Sequence, residues 1–374
     1  MEQIIRRLKK EMVFTISAVL ALGSVALVPP DAGYTSYVDG NVLAMLFCLM
    51  LVVGGFQRIG VFGWLGEWLV SRVSDTRGLS MVLVFLCFFS SMLITNDVAL
   101  LTFVPFAVLT LQMTGKEERL IPVVVMQTIA ANLGSMLTPV GNPQNLYLYS
   151  LAGMGLTEFI LYMLPLAGIS LGMLLAILAV SPKEMLPRRG PAQGEKLQCG
   201  WRGWLYTALF LCCMAAVAKL IPNTVMLAVV CAALLVSDRT AFRHADYFLL
   251  ATFVCFFVFI GNMQRIESVR MLLEQAVAGR ELLTAIGASQ IISNVPAAIL
   301  LSGFTDRYQA LLWGTNIGGL GTLIASLASL ISYKCYGNVP GAQKGRYLAV
   351  FSLWNLLFLI ILTVAAVLFS GMMI

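Results

Sequence analysis

Apolar residues run along this chain in long blocks separated by short charged breaks. About 20 apolar residues make one helical crossing of a bilayer core, so the blocks predict ordinary transmembrane helices over 12–28, 42–56, 158–180, 203–220, 222–236, 247–261 and 346–372. Four other blocks break this pattern. Residues 79–113 form a long apolar stretch broken by Thr95, Asn96 and Asp97, and a straight helix of that length would measure about 52 Å against a core of about 30 Å. The block is therefore expected to fold back as a hairpin, and 280–304, with Ser293 and Asn294 near its tip, as a second one. Residues 120–149 and 308–333 are each long enough to cross once, but glycine, asparagine and hydroxyl residues interrupt them midway. They are expected to be broken helices. The fold class is an all-α polytopic membrane protein with about nine full spans plus two hairpins.

Composition closes off the alternatives. Of 374 residues 59% are hydrophobic and only 11% charged, whereas a soluble domain carries about 25% charged residues. The eight cysteines form no C-x-x-C pair, so neither a disulfide framework nor a zinc site is expected, and the single histidine, His244, lies in a charged loop. That leaves histidine-based metal or serine chemistry with nothing to work with. An intramembrane aspartyl protease would need two membrane aspartates where one is found, so no enzyme and no cofactor are expected. The net charge of +6 reflects loops, not a nucleic-acid partner. The basic cluster Arg6, Arg7, Lys9 and Lys10 followed by 12–28 is read as an anchored first span, not a cleaved leader.

Basic residues collect in cytoplasmic loops. With the N-terminus inside, each hairpin returning to its own side and each broken helix crossing once, 19 of the 24 lysines and arginines fall inside and five outside. The C-terminus is then outside. A single crossing at 79–113 would abolish the bias, which supports the hairpin.

An internal repeat underlies this layout. Phe56-Gln57-Arg58-Ile59 matches Met263-Gln264-Arg265-Ile266, Ser91 to Ala99 matches Ser289 to Ala297, and Ala131 to Thr138 matches Thr315 to Thr322, in the same order. The first hairpin opens to one side and the second to the other. The chain thus divides into two inverted repeats, 1–180 and 203–374, joined by a cytoplasmic linker at 181–202, and inverted repeats are the architecture of secondary transporters. Residues 61–73, with Phe62, Trp64 and Trp68, and 267–277 are read as helices lying along each surface.

Irregular backbone survives in hydrocarbon only where protein or a watery cavity surrounds it, so the two tips and two interruptions are expected to meet. The first copy contributes Thr95, Asn96, Asp97, Asn132, Gly134, Thr138, Gly141, Asn142 and Asn145; the second contributes Ser293, Asn294, Asn316, Gly318, Gly319, Thr322 and Ser326, with Ser329 beyond. Opened turns free carbonyls for a cation and amides for an anion. Asp97 is the one ionisable residue placed at membrane depth, at a cost of about 2.5–3.5 kcal/mol on insertion scales. A bound cation, a proton or a helix N-terminus would offset it.

At these residues the chain resembles a known family. SMLITNDVALLTFVPF, ANLGSMLTPVGNPQNLYLY and SQIISNVPAAILL are similar to the ion transporter superfamily that includes arsenite permeases, NhaD-type sodium/proton antiporters and citrate and dicarboxylate carriers. The resemblance implies a homodimer with a scaffold part and a moving transport part in each protomer. It also implies a sodium site at each tip asparagine, here near Asn96, Asp97 and Asn294. Sodium-coupled dicarboxylate carriers read Ser-Asn-Thr at each tip; here the third position is Asp97 in one copy and Val295 in the other, closer to the arsenite permease and antiporter branch.

The function expected is secondary active transport of an anion or oxyacid coupled to Na+ or H+ around Asp97, in a bacterial inner membrane. A Na+/H+ antiporter is the alternative, and an arsenite-type efflux permease, a dicarboxylate carrier and a channel stand behind it. No lysine or arginine reaches the expected site, so an anion would be held by backbone amides and half-helix N-termini.

Overall fold

The computed structural model describes residues 12–186 and 200–372. The basic N-terminal cluster, Cys199 and most of the expected linker lie outside the described residues. Backbone polar groups find no water in hydrocarbon, which leaves helices as the economical solution for apolar blocks. Among the described residues the chain is all-α, its single bridge joining Asp75 and Met185. The predicted ordinary spans fold as Met12–Leu27, Gly40–Arg58, Leu156–Ala179, Gly200–Val217, Asn223–Ser237, Tyr247–Arg265 and Lys344–Met372. Residues 200–202 thus open a helix, and 181–186 are tied back, with Leu186 N donating to Ser74 O and Thr76 N to Glu184 O, both at 2.9 Å.

The block 79–113 does fold back. Its arms are Thr76–Ser90 and Asn96–Met113, and the Asp75 carboxylate caps the first by accepting from Gly78 N at 2.8 Å. The second hairpin has arms Glu281–Ile292 and Asn294–Ser302. Arms of 12 and 9 residues measure only about 18 and 13 Å, too short to cross. The chain turns back at the tip of this hairpin. Its break is one residue, Ser293, held at φ +74°.

The interruptions at 120–149 and 308–333 are also realised. Leu120–Gly134 ends in two short 3-10 turns before Pro143–Leu151 resumes, with Pro139 and Pro143 each unable to continue a regular helix. Tyr308–Gly318 gives way to an open stretch before Leu327–Gly337. Every residue of Leu120–Gly134 except Pro122 is buried. Lys344–Met372, in contrast, exposes Leu353, Leu356, Ile360 and Val364 on one side, as a helix facing acyl chains does.

Two sets of helices meet along a seam. Met12–Leu27 lies on Tyr247–Arg265, joined by Asn262 Nδ2 donating to Ser24 Oγ at 2.9 Å, and Gly40–Arg58 lies on Gly200–Val217 and Asn223–Ser237. The hairpins, the broken helices, Leu156–Ala179 and Lys344–Met372 form the other set. Tyr147 meets the first set through ring contacts with Phe253 and Phe257 at 6.3 and 5.6 Å. A clasp reinforces the seam: Tyr149 OH donates to Val217 O at 2.7 Å while Lys219 Nζ donates back to Gly153 O at 2.8 Å. The helix Val61–Val70 leaves Trp64 and Trp68 exposed and packs inward, Phe62 lying 6.4 Å from Phe103.

Candidate functional site

The matched motifs make matched contacts. Thr138 Oγ1 donates to Met92 O, and Thr322 Oγ1 donates to Gln290 O at 3.1 Å. Met92 and Gln290 occupy the same place in the two hairpin motifs, so in each copy a threonine of the opened turn is fastened to its own hairpin. Glycine is required beside each fastening. A Cβ on Gly134 would lie 2.0 Å from Phe88 O, and one on Gly318 would lie 2.7 Å from the Cβ of Ser289. Gly141 is as confined, 2.2 Å from Ser135 O. The tip asparagines also correspond: Asn96 Oδ1 accepts from Asp97 N, and Asn294 Oδ1 from Val295 N, both at 2.9 Å.

Between the copies, asparagines carry the contact. Asn132 is the hub, its Oδ1 accepting from Asn96 Nδ2 at 2.9 Å and from Ser326 Oγ at 3.0 Å, while its Nδ2 donates to Gly319 O at 3.5 Å. One amide therefore joins the first tip, the first broken helix and the second opened turn. A second bridge runs from Asn316 Nδ2 to Asn145 Oδ1 at 2.6 Å. Asn145 Nδ2 donates in turn to Ser135 O at 3.1 Å, and Asn142 Nδ2 to Ser135 Oγ at 2.6 Å. The second tip is sewn to its own turn, Asn294 N donating to Ala325 O at 2.9 Å and Ser293 Oγ to the same oxygen at 3.3 Å. Asn96, Asn132, Asn142, Asn145, Ser293, Asn294, Asn316 and Ser326 are all buried.

The structure thus gathers most of the expected residues into one connected set. Thr95 and Asp97 stand apart from it. Thr95 caps the second arm without a side-chain bond, and the Asp97 carboxylate takes no hydrogen bond or ion pair from a described residue. Consecutive helix positions differ by about 100°, so with Asn96 turned inward Asp97 faces elsewhere and stays half-buried. Ser135, Gln290 and the Ala325 carbonyl were not foreseen. The signal for Gln290 was its place beside the matched serine Ser289.

The arrangement has a definite electrostatic sense. Asn96–Met113, Pro143–Leu151, Asn294–Ser302 and Leu327–Gly337 all start at the set, and helix starts present free N–H groups and partial positive charge. Leu120–Gly134 and Tyr308–Gly318 end there, bringing carbonyls. No lysine or arginine side chain takes part in its hydrogen bonds. The set offers amides to an anion and carbonyl and amide oxygens to a cation. No group of three or more His, Cys, Asp or Glu suited to a metal ion occurs among the described residues.

Comparison with known proteins agrees with this geometry. The family described as citrate transporter matches residues 3–309. The chain belongs to that family. Among its relatives are an inner membrane protein, YbiR, of Escherichia coli K12, 30% identical over 341 residues that cover 88% of this chain and 89% of the relative, and an uncharacterized transporter of Methanocaldococcus jannaschii, 30% identical over 334 residues covering 89% and 90%. A silicon efflux transporter of Oryza sativa subsp. japonica is 33% identical over 156 residues, 40% of this chain and 31% of the relative. This member of the citrate transporter family is accordingly an integral membrane transporter, not an enzyme, and it falls within the superfamily its motifs indicated.

Proposed function

We propose that the protein is a secondary active transporter that carries a small anion or oxyacid through the Asn132-centred set, coupled to Na+ or H+. The observation that carries this reading is Asn132 itself, one buried amide linking a hairpin tip to the opened turn of the other copy. A ligand placed there touches both repeats at once and loses both when they separate. Four helix starts without a basic side chain suit an anion held by backbone N–H groups. An anion so held needs a compensating cation, and Asn96, Asp97 and Asn294 are where sodium or a proton would sit. One charge moved across 100 mV supplies about 2.3 kcal/mol, about fiftyfold accumulation. Citrate and silicon compounds, named for the family and for one relative, are the first substrates to try.

The free carboxylate of Asp97 favours a second reading, a Na+/H+ antiporter in which it exchanges the two cations directly. Proteoliposomes separate the two. In the first reading uptake of labelled substrate responds to an imposed sodium or proton gradient, and transport indifferent to both removes the coupling. In the second, sodium alone drives a pH change that Asp97→Asn abolishes. The same reading includes a homodimer in a bacterial inner membrane, two inverted repeats with a moving transport part, an inside N-terminus and an outside C-terminus. Reporter fusions at the two termini test the orientation.

A further inference from the structure

The helix Val61–Val70 joins Gly40–Arg58, in one set of helices, to the hairpin arm Thr76–Ser90, in the other. Between it and that arm lies an open cleft of about 340 Å³, with Leu65 and Leu69 on one wall and Val82, Phe85 and Phe89 on the other. Among the described residues that line it, Ser90 alone is polar. The lining follows the arm from Met81 to Ser90, about 14 Å. That is close to half of a hydrocarbon core of about 30 Å, the depth of one leaflet. The mouth of the cleft carries a cation. Trp64 and Trp68 are exposed and stacked, their centroids 6.5 Å apart, and the Arg72 guanidinium lies 4.2 Å from the Trp68 ring centroid. Arg72 N donates to Leu69 O at 3.2 Å, which continues the turn past the helix end. Helix positions seven apart differ by about 20°, so Arg72 falls on the face of Leu65 and Leu69. It belongs to the loop that enters Thr76–Ser90, at the opposite end of the cleft from Ser90. Nearby carboxylates are turned away or occupied: Glu67 stands about 140° round the helix from Arg72, and Asp75 faces Gly78 N at 2.8 Å and Lys183 at 3.7 Å. The Arg72 side chain has no ion pair or hydrogen bond with a described residue.

We infer that this cleft is a binding site for an anionic phospholipid, with one acyl chain along Val82, Phe85 and Phe89 and the phosphate at Arg72 and the exposed tryptophans. The site divides its chemistry as a lipid does. Its apolar wall takes a hydrocarbon chain without burying a charge. Indole rings, apolar in body with one N–H at the edge, suit the headgroup level, and a guanidinium presents paired N–H donors that fit phosphate oxygens. A zwitterionic lipid carries its own cation beside the phosphate and brings Arg72 no net charge, so the preference is for anionic headgroups. On the orientation proposed above, Arg72 is one of the inside basic residues, and the cytoplasmic leaflet is the one rich in anionic lipid. The site lies apart from the asparagine set and does not depend on the transport reading. A lipid held there fills the joint between the helix that leaves one set and the hairpin arm that begins the other.

The test adds phosphatidylglycerol or phosphatidylcholine to the purified full-length protein in detergent and reads bound lipid by native mass spectrometry and stability by thermal melting. The variants are Arg72→Gln, Val82→Phe, which fills the cleft, and Arg243→Gln, which removes an exposed arginine elsewhere. With phosphatidylglycerol the wild type should melt about 3 °C or more above its value with phosphatidylcholine. Arg72→Gln should retain about fivefold less phosphatidylglycerol, the worth of one basic side chain at an anionic surface. Val82→Phe should retain less of both lipids, and Arg243→Gln should match the wild type. A wild type that responds equally to the two lipids overturns the inference. So does Arg72→Gln with its preference intact, or Arg243→Gln with an equal loss, because the effect is then one of general surface charge. Val82→Phe that holds both lipids as the wild type does overturns the placement of the chain; should it fail to fold, Arg72→Gln, at an exposed position, decides alone. A wild-type dimer that Arg72→Gln and Val82→Phe turn into monomer with lipid content unchanged also overturns it, by showing that a second copy covers this face.

Discussion

Arg58 at the end of Gly40–Arg58 holds the Asp238 carboxylate at 3.0 Å, and 207 positions further on Arg265 holds Asp31 at 2.7 Å. The pairs are crossed: each arginine closes a helix of one copy, and each aspartate precedes the corresponding helix of the other. Asp39 and Asp246, the N-caps of those helices, stand 207 apart as well. Gly40–Arg58 and Tyr247–Arg265 therefore run antiparallel, pinned at both ends. A tyrosine completes each clamp. Tyr206 accepts from Arg58 at 2.9 Å and Tyr37 from Arg265 at 3.2 Å, their rings lying where a Cβ on Gly55 or Gly261 would be.

The two clamps should differ in strength, because the Asp238 side chain is 11% exposed and that of Asp31 46%. Burial works against ionisation of Asp238, but hydrogen bonds from Thr240 and Tyr206 and the charge of Arg58 outweigh it and hold the carboxyl below its ordinary range. Asp238→Asn should cost about 2–3 kcal/mol at neutral pH, and Asp31→Asn much less. A depressed pKa contributes stability above the unfolded-state value that is lost as pH falls through the folded-state value. Tm of the wild type should therefore drop between pH 5 and pH 3 more steeply than that of Asp238→Asn.

Glycines at the opened turns should be intolerant in a set order. Gly134→Ala drives a Cβ into a backbone carbonyl, which cannot rotate away, and should cost about 3 kcal/mol or more. Gly318→Ala meets the Ser289 side chain and should cost less. Gly54→Ala, with nothing within 4 Å of the added carbon, should be neutral or stabilising by up to about 1 kcal/mol. Thermal melting of the three variants checks the ranking.

Asn132 and Ser326 should behave as one unit. Their bond at 3.0 Å joins the copies, so Asn132→Leu and Ser326→Ala should each lower transport, Asn132→Leu at least tenfold. The double variant should fall short of the summed losses by about 0.5–3 kcal/mol. Additive losses would place the two residues in separate roles.

Asp97→Asn should leave the melting temperature within about 2 °C of the wild type, because no described partner loses a bond. Its effect is expected in the ion dependence of transport. A large fall in Tm would show the carboxylate to be part of the packing.

Much of the site was legible because hydrocarbon is a severe solvent. Asparagines and glycines inside long apolar blocks have few stable places, so Asn96, Asn132, Asn294 and Asn316 could be grouped before any coordinates were known. Their pairing was not legible. Asn132 bonds the tip of its own copy, whereas its counterpart Asn316 bonds Asn145 instead. That Asn96, and not Asp97, bonds Asn132 follows from the rotation of about 100° between neighbouring helix positions.

Chain composition and the length of the apolar blocks by themselves determined that this is a helical membrane protein, where its helices break and which polar residues lie at depth, since these follow from the local cost of bringing backbone and side chains into lipid. Only the tertiary structure decided that Arg58 reaches Asp238 and that Asn132 spans both copies. Those are relations between segments far apart in the chain, and hydrogen bonds depend on distance and direction that no local pattern encodes.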